Sequence, residues 1–431
     1  MNLSKYYFLA KKTLFPINRS ITGDGIKKTL KIIKKEFNEL KIHKIKSGTK
    51  VFDWKIPPEW NVNVAYVLDN KKKKIIDFKK NNLHLIGYSQ FKDEIIAKNE
   101  LLKHVYSLPE YPKAIPYITS YYKKYWGFCV SNEDKIKIKK NYNDKDKFRI
   151  FINSKFLKNG YLNYGELLIK GKSKKEILIS TYICHPSMAN NELSGLIVCM
   201  SLINYFKKQK LEKSIRFLFI PETIGSIAYL NKNLKKLKRN VIGGYNITCV
   251  GDDRQHSCMF SKYKNSLSDV SLREAYRKLK IKFKEYSFLK RGSDERQYNS
   301  PGIDLGITSI FRTKYGEYPE YHTSLDNFKL VTKKGLSGGY NVAKKTIEIL
   351  QKKIIPLSKT LCEPNMGKRK LYPLLSFARK KNYGQTKDLM NFLTYADGKN
   401  DLKIISKYIK KNYSTVKKIH NLLKNKKLIS E

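Results

Sequence analysis

Four side chains capable of acid–base chemistry or metal binding follow stretches of the sequence that read as β-strands. The strands cover residues 176–183, 214–220, 241–250 and 306–312, and the side chains after them are His185, Glu222, Asp252 and His322. Because the carboxyl ends of parallel strands meet at one edge of a sheet, we expect these side chains to converge. Imidazole nitrogen and carboxylate oxygen are zinc ligands, and a catalytic zinc keeps one position for water. The pattern predicts a metallohydrolase, in which bound water is acidified and a carboxylate takes its proton.

The elements around these residues alternate between strand and helix from about residue 147 onward. Helical runs cover residues 196–209, 269–279 and 336–353. This alternation predicts an α/β fold with a largely parallel sheet. Residues 1 to about 45 read as helix, because apolar residues recur there at helical spacing. Between residues 51 and 128, apolar runs punctuated by proline and glycine predict a small β-rich unit.

The last part of the chain reads as three short amphipathic helices followed by a strand. A linker at residues 356–373 precedes helices at 388–395, 401–410 and 414–423, with Ser414 as an N-cap and a strand from about residue 426. This arrangement resembles a winged helix. Its lysines suit a DNA backbone, although the three helices contain no arginine to read guanine. Winged helices also bind proteins, so both partners remain open.

Composition narrows the class of protein. The 431 residues are 41% hydrophobic and 12% aromatic, which excludes disorder throughout. Lysines interrupt the apolar runs before the roughly 18 to 20 residues that a membrane helix needs, and the amino terminus shows no secretion signal, so we expect a cytoplasmic protein. The six scattered cysteines are typical of reduced thiols. The net charge of +51 is typical either of solvated lysine-rich faces or of an anionic partner.

Five motifs, four of them just after predicted strands, resemble those of the bacterial aminopeptidase-like proteins of polysaccharide-biosynthesis loci. They are H-P-S-M-A-N-N-E-L-S-G, P-E-T-I-G-S-I-A-Y-L, G-D-D-R, R-G-S-D-E-R-Q-Y and E-Y-P-E-Y-H-T-S. Two further motifs and the helical tail also match these proteins. The motifs are F-P-I-N-R-S-I-T-G-D-G and F-D-W-K-I-P-P-E-W-N-V. Those proteins are in turn similar to zinc aminopeptidases and glutaminyl cyclases.

The resemblance implies a fold with three parts. Residues 1–48 and 130–358 would form a three-layer α/β/α zinc-aminopeptidase-like core. Residues 49–129 would form a small inserted β-rich domain, and residues 359–431 would form a linker and a carboxyl-terminal winged helix.

The resemblance also implies roles for the four side chains after the strands. His185 and His322 match metal-binding histidines, Asp252 matches the acid after the third strand, and Glu222 matches the general base.

Two positions depart from the family pattern. Asn191 stands where the dinuclear aminopeptidases have a bridging aspartate, and Thr223 stands where they have a second metal-binding glutamate. We therefore expect one Zn²⁺ ion, with either Glu192 or Asp252 as the third ligand. A set of two histidines and one glutamate is known for mononuclear zinc. A glutamate at position 192 would equally suit the start of a helix.

A charged segment and a nearby tyrosine are candidates for substrate binding. The segment supplies Arg291, Asp294 and Arg296. A bidentate arginine there would bind a carboxylate or an anionic sugar substituent, or would pair with Asp294 inside the fold. Tyr321, next to His322, would line a substrate pocket or pack in the core.

Two functions fit these observations. The first is a zinc-dependent amide hydrolase for a small-molecule or peptide-like substrate, for which the resemblance suggests an amino-acyl or N-acyl sugar intermediate. The second is a regulator or scaffold with a degenerate peptidase core, in which the winged helix binds nucleic acid or protein. A homo-oligomer is compatible with either function.

Overall fold

The computed structural model describes residues 3–372 and 380–431, except for the side chains of residues 380–383. Its strands are β1 (Lys41–Lys46), β2 (Lys50–Val51), β3 (Trp54–Lys55), β4 (Glu59–Leu68), β5 (Lys74–Asp77), β6 (Lys92–Ala97), β7 (Val105–Tyr106), β8 (Phe128–Cys129), β9 (Lys147–Leu157), β10 (Tyr161–Ile169), β11 (Ser173–Tyr182), β12 (Lys213–Ile220), β13 (Val241–Ile247), β14 (Ser257–Met259), β15 (Lys284–Tyr286), β16 (Ile307–Phe311), β17 (Leu357–Ser358) and β18 (Ile429–Ser430).

The α-helices are α1 (Leu3–Leu9), α2 (Asp24–Glu36), α3 (Lys98–Lys103), α4 (Asn132–Asn141), α5 (Ser194–Phe206), α6 (Ile224–Asn240), α7 (Leu267–Lys278), α8 (Glu295–Tyr298), α9 (Lys333–Gln351), α10 (Lys380–Tyr395), α11 (Leu402–Tyr408) and α12 (Tyr413–Asn425). Two π-helical segments, Ala10–Leu14 and Ala189–Leu193, extend α1 and precede α5.

The centre of the fold is an eight-stranded sheet in the order β1-β10-β12-β11-β13-β16-β14-β15. Strand β11 runs parallel to both of its neighbours, β12 and β13, and β16 continues the parallel set. Strands β1 and β10 are antiparallel additions at one side. The chain leaves β11 toward β12 on one side and returns to β13 on the other. A ligand crevice is therefore expected at the carboxyl end of β11.

Strands β11 and β12 occupy the centre because they are apolar runs buried on both faces, as parallel strands under two helical layers must be. Helix α5 connects β11 to β12, and helix α6 connects β12 to β13. The two connections run in opposite directions across the sheet. Right-handed crossovers therefore place the two helices on opposite faces. Gly195 lets α5 approach β13 closely, because a Cβ atom there would lie 2.4 Å from the carbonyl oxygen of Ile247. The predicted three-layer architecture is confirmed.

The amino-terminal region is helical only in part. Helices α1 and α2 form as the apolar spacing predicts, but the helix prediction is wrong for residues 15–23 and from residue 37 on, and β1 pairs with β10 from Lys41. The first two residues lie outside the described part. The sequence K-I-H-K-I-K is only partly buried, and lysines suit a strand at one side of a sheet.

A second, antiparallel sheet has the order β5-β4-β9-β6. Strand β9 lies beyond residue 129, the predicted end of the small domain, yet it pairs with both β4 and β6. Alternate residues of β9, including Phe148, Ile150 and Ile152, are buried. This sheet therefore contains residues that the sequence assigned to the core.

The carboxyl-terminal unit combines α10, α11 and α12 with a short ladder between β17 and β18. Its side chains form a hydrophobic cluster separate from the main core. Helix α12 begins after Asn412, whose Oδ1 accepts the Thr415 N–H at 2.8 Å, so the expected Ser414 cap is wrong. Pro373, the end of the predicted linker, lies outside the described residues. None of the described helices is long and apolar enough to cross a lipid bilayer.

Candidate active site

His185 lies directly after β11, in the crevice at the centre of the sheet. Its ring is buried, and Nδ1 lies 3.2 Å from Oε2 of Glu192. The same Oε2 accepts the backbone N–H of His185. A carboxylate on one ring nitrogen fixes the orientation of an imidazole and leaves the other nitrogen for chemistry. Here the other nitrogen, Nε2, lies 3.8 Å from Oε2 of Glu222.

Glu192 lies in the π-helical segment before α5 and pairs with Arg19. Arg19 Nε lies 2.5 Å from Glu192 Oε1, and it is also 3.1 Å from the carbonyl oxygen of His185. Glu192 therefore meets a guanidinium on one oxygen and His185 on the other. Both oxygens of Glu192 thus have partners within the protein, and its carboxylate also lies with Cys184 and His185 in a group that could hold a metal ion. Its role as a metal ligand stays a prediction.

Glu222 follows β12 and faces the same crevice. Its Oε1 accepts a hydrogen bond from Ser293 Oγ at 2.5 Å, and its backbone N–H donates to Cys184 Sγ at 3.2 Å. Burial raises the pKa of Glu222 above its ordinary value, against the opposing effects of His185 and Ser293. A carboxyl group with a raised pKa suits proton transfer near neutral pH.

The segment around α8 clamps the residue that follows Glu222. Thr223 has φ +63°, in the left-handed region that a β-branched residue rarely adopts. Asp294 Oδ1 accepts the Thr223 N–H and the Ser226 hydroxyl, each at 2.8 Å. Arg296 Nη2 donates to Thr223 Oγ1 at 2.6 Å. The clamp fixes the backbone next to Glu222.

His322 reaches the crevice from the loop after β16. Its ring centroid lies 5.3 Å from that of His185, and the Tyr321 ring stacks on it at 3.9 Å. Its Nε2 is shielded from solvent and has no hydrogen-bond partner among the described residues. Burial, with the nearby His185, lowers the pKa of His322 to about 3, so the imidazole is neutral.

Asp252 is buried five residues beyond the end of β13, and its two oxygens accept four hydrogen bonds. The donors are Asn190 Nδ2 at 3.1 Å, Thr313 N at 3.0 Å, Thr313 Oγ1 at 2.7 Å and Arg254 N at 3.0 Å. Through these hydrogen bonds Asp252 ties together three loops around the crevice, and its role as a metal ligand stays a prediction.

The residues expected to bind substrate divide into two groups. Arg291 is exposed, with its guanidinium over the Phe288 ring, and Asp294 is buried beneath Thr223; neither lines the cavity beside His185. Arg296 does line that cavity. Tyr321 lies against it by stacking on His322. Burial, with the nearby Glu222, raises the pKa of Asp294 to about 7.

The cavity beside His185, Glu222 and His322 has a volume of about 400 Å³. Much of its wall comes from residues outside the core sheet, namely Trp54, Tyr117, Thr119, Tyr121 and Tyr122. Tyr117 meets the rings of both histidines edge-on, with its centroid 5.3 Å from His185 and 5.1 Å from His322. Sequence reasoning missed these aromatic residues and Arg19. The aromatic-rich segment Y-I-T-S-Y-Y-K-K-Y-W was the available signal for the wall.

The fold is that of an aminopeptidase-like α/β/α protein. Family models for a domain of unknown function (DUF4910) and for a winged helix-turn-helix match residues 7–353 and 354–431. The chain belongs to the DUF4910 family. It is 40% identical over 390 residues to a Clostridium acetobutylicum protein named for polysaccharide biosynthesis and an aminopeptidase-like domain, covering 90% of this chain and 88% of that protein.

Solved structures agree with this assignment. A Clostridium acetobutylicum crystal structure named as a peptidase is 37% identical, with a TM-score of 0.79, and the match covers 100% of this chain and 96% of that one. A zinc aminopeptidase from Bacillus subtilis has a TM-score of 0.59 at 14% identity, over 80% of this chain and 93% of that one. The latter likeness shows the fold alone.

The crevice holds nitrogen and oxygen atoms of the kind that bind zinc. His322 Nε2 is buried without a partner among the described residues, and His185 Nε2 and Glu222 Oε2 face each other across 3.8 Å. Cys184, His185 and Glu192 also bring ligand atoms within 4.8 Å of one another. Of these, Glu192 is also engaged by Arg19.

Proposed function

We propose that the chain is a zinc-dependent amide hydrolase of aminopeptidase type. The observation that carries the proposal is the meeting of His185 Nε2, the unpartnered His322 Nε2 and the Glu222 carboxylate at one cavity. In this proposal His185 and His322 hold a single zinc ion, and Glu222 is the general base. Zinc in such a site would polarise the amide carbonyl and acidify water.

The side chains around the base suit proton transfer. Glu222 takes a proton from water on Oε2 and passes it to the leaving amine, while Ser293 holds Oε1. Glu192 keeps the His185 ring in place through Nδ1. The aromatic wall covers the site and limits the access of bulk water.

The size of the cavity and the relatives indicate the substrate. A volume of about 400 Å³ accommodates a small molecule or a few residues, and does not accommodate a folded protein. The name of the Clostridium relative refers to polysaccharide biosynthesis. The proposed substrate is therefore an amino-acyl or N-acyl sugar intermediate. Six unpaired cysteines are in keeping with hydrolysis in the cytoplasm.

The test combines metal content with activity on the full-length protein. We expect about one zinc per chain, bound in the wild type and lost in His322→Ala. Glu222→Gln should keep the metal and lose hydrolysis of amino-acyl anilides and N-acyl amino sugars by about 10²- to 10⁴-fold. Loss of zinc in Glu222→Gln would instead make Glu222 a ligand, and a wild type that takes up no zinc would refute the proposal.

A second function, nucleic-acid binding through the winged helix, is favoured by the surface of α12. This helix exposes Lys417, Lys418, Asn421 and Lys424 on one side. We expect the full-length protein to bind duplex DNA with an affinity that falls steeply with salt. Neutralising Lys417 and Lys418 should reduce the slope of log affinity against log salt by about 1 to 2. No binding at low salt would favour a protein partner.

A further inference from the structure

Arg296 brings a positive charge to the wall of the candidate active site without an acidic partner. Its Nη2 donates to Thr223 Oγ1 at 2.6 Å, and its Nε is shielded from solvent with no acceptor among the described residues. An arginine away from water normally pairs with a carboxylate or phosphate. Arg296 as a whole is half-buried and lines the cavity, so its guanidinium is available to an anionic group of a ligand there.

None of the acidic residues next to Arg296 forms an ion pair with it in the described part of the chain. Asp294 Oδ1 accepts from Thr223 and Ser226, while its Oδ2 is buried without a hydrogen-bond partner. Glu295 Oε1 accepts from the backbone of Gly292 and Ser293. Glu222 Oε1 accepts from Ser293. The alternative that Arg296 pairs with Asp294 inside the fold is therefore not what the structure contains.

The guanidinium is also held in a fixed position. It is attached to Thr223, whose left-handed backbone is itself fixed by Asp294. Strained backbone of this kind persists where the surrounding structure enforces it, often at ligand sites. Fixed donors lose little conformational entropy when a ligand binds, which favours recognition.

We propose that Arg296 binds a carboxylate of the substrate, so that the preferred substrates are small amides that carry a carboxylate, of which N-acyl amino acids are the simplest probes. This inference rests on the function proposed above for the same cavity. A carboxylate suits the site better than a phosphate dianion, because Arg296 is the one arginine among the described residues that line the cavity, and the same wall carries the Glu222 carboxylate. Arg296 and Glu222 line the same cavity, so the carboxylate lies on the same small molecule as the scissile amide.

The test is binding rather than turnover, using two ligands that differ only in charge. N-acetylphenylalanine and its neutral carboxamide are titrated calorimetrically into the zinc-loaded full-length protein. We expect the acid to bind at least about tenfold more tightly than the amide, as a charge-assisted hydrogen bond allows. In Arg296→Gln the ratio should fall to about one, while Arg277→Ala, an exposed arginine on α7, should preserve it. Thermal unfolding of each variant establishes that it is folded.

The possible outcomes separate this inference from the proposed function. Equal binding of both ligands, no binding of either at millimolar concentration, or a preference that survives in Arg296→Gln would overturn the inference. Stronger competition by inorganic phosphate than by the acid would also overturn it, in favour of a phosphorylated substrate. If the protein hydrolysed only neutral amides, the proposed function would stand and the carboxylate inference would be wrong. If it preferred the carboxylate ligand but hydrolysed no amide, the carboxylate inference would stand and the proposed function would be wrong.

Discussion

Arg19 and Glu192 form an ion pair that water does not reach, with Arg19 Nε 2.5 Å from Glu192 Oε1 and 0% of either side chain exposed. The two residues are 173 positions apart in the chain. The other carboxylate oxygen of Glu192 accepts the backbone N–H of His185 and contacts Nδ1 of its ring. The amino-terminal segment is thereby connected to the candidate metal ligand after β11, and the two should respond together to mutation.

Glu192→Gln tests this connection. The variant leaves Arg19 buried without a counter-charge and weakens the contact that orients His185. We expect the free energy of unfolding of the metal-free protein to fall by about 3 to 5 kcal/mol, as when one partner of a buried pair is removed. Zinc affinity should fall by about 10- to 100-fold, as for other second-layer contacts to a ligand histidine. Urea unfolding and zinc competition titration measure the two effects.

Two controls separate charge from position. Glu100→Gln removes an exposed carboxylate that pairs with Lys103 and should change neither measurement. The double variant Arg19→Met with Glu192→Met removes both charges, and we expect it to be more stable than Glu192→Gln while its zinc affinity stays low. Unchanged zinc affinity in Glu192→Gln would contradict the positioning role.

His256 should make the stability of the protein depend on pH. Burial, with the adjacent Arg312, lowers the pKa of His256 to about 4, whereas an unfolded chain has a histidine pKa of about 6.5. Between these values the unfolded state binds more protons, so wild-type stability should fall as the pH drops from about 6.5 to about 4. Asp252 acts in the opposite direction but does not cancel the shift.

The variant His256→Gln removes this proton uptake. Its free energy of unfolding should therefore decline less than that of the wild type across the same pH window. Urea unfolding at half-unit pH steps would show this, with the interval from pH 7 to pH 8 as an internal reference where the slopes should agree. Parallel curves below pH 6.5 would show that His256 titrates normally.

The meeting of His185, Glu222 and His322 could be predicted from sequence because it depends on sheet geometry. His185 and Glu222 follow β11 and β12 within three residues, and both strands end in largely buried stretches. A buried parallel strand of that kind delivers the next polar residue to the crevice, whatever the rest of the chain does. The roles of the three side chains stay predictions until metal content and activity are measured.

The partners of Glu192 and Asp252 could not be predicted, since they depend on distant segments. Strand β13 ends at Ile247 and not at Val250, so Asp252 lies further along the loop, where Asn190 and Thr313 supply donors. Glu192 and Arg19 meet only because the amino-terminal segment packs near the start of α5. Residue type and spacing identify candidate ligands, but the three-dimensional neighbours decide which oxygens remain available.

The winged helix is attached to the core by a second buried ion pair, between Lys353 and Asp401. Their side chains are 5% and 4% exposed. Asp401 also caps α11 by accepting the Ile404 N–H. Asp401→Asn can preserve the cap but leaves Lys353 unpaired, so we expect the tail to lose about 3 to 5 kcal/mol of local stability.

Amide hydrogen exchange in α11 and α12 measures that loss, and exchange in α5 should not change. Asp388→Asn is the matched control, because the Asp388–Lys411 pair is far more exposed and should contribute less than about 1 kcal/mol. Equal exchange in Asp401→Asn and the wild type would show that the ion pair does not stabilise the tail.

Trp54 and Tyr122 should contribute to substrate binding rather than to folding. Their rings lie 6.1 Å apart at the cavity wall, and the residues are 41% and 54% exposed. Because they bury little surface in the free protein, alanine at either position should change the free energy of unfolding by less than about 1 kcal/mol.

Once a hydrolysed substrate is known, each variant should raise KM by about 5- to 30-fold, because one aromatic contact is lost, and should leave kcat nearly unchanged. Phe91→Ala, which removes an exposed ring away from the cavity, should alter neither constant. A fall in kcat with constant KM would instead mean that the two rings act in the transition state, by excluding water from Glu222.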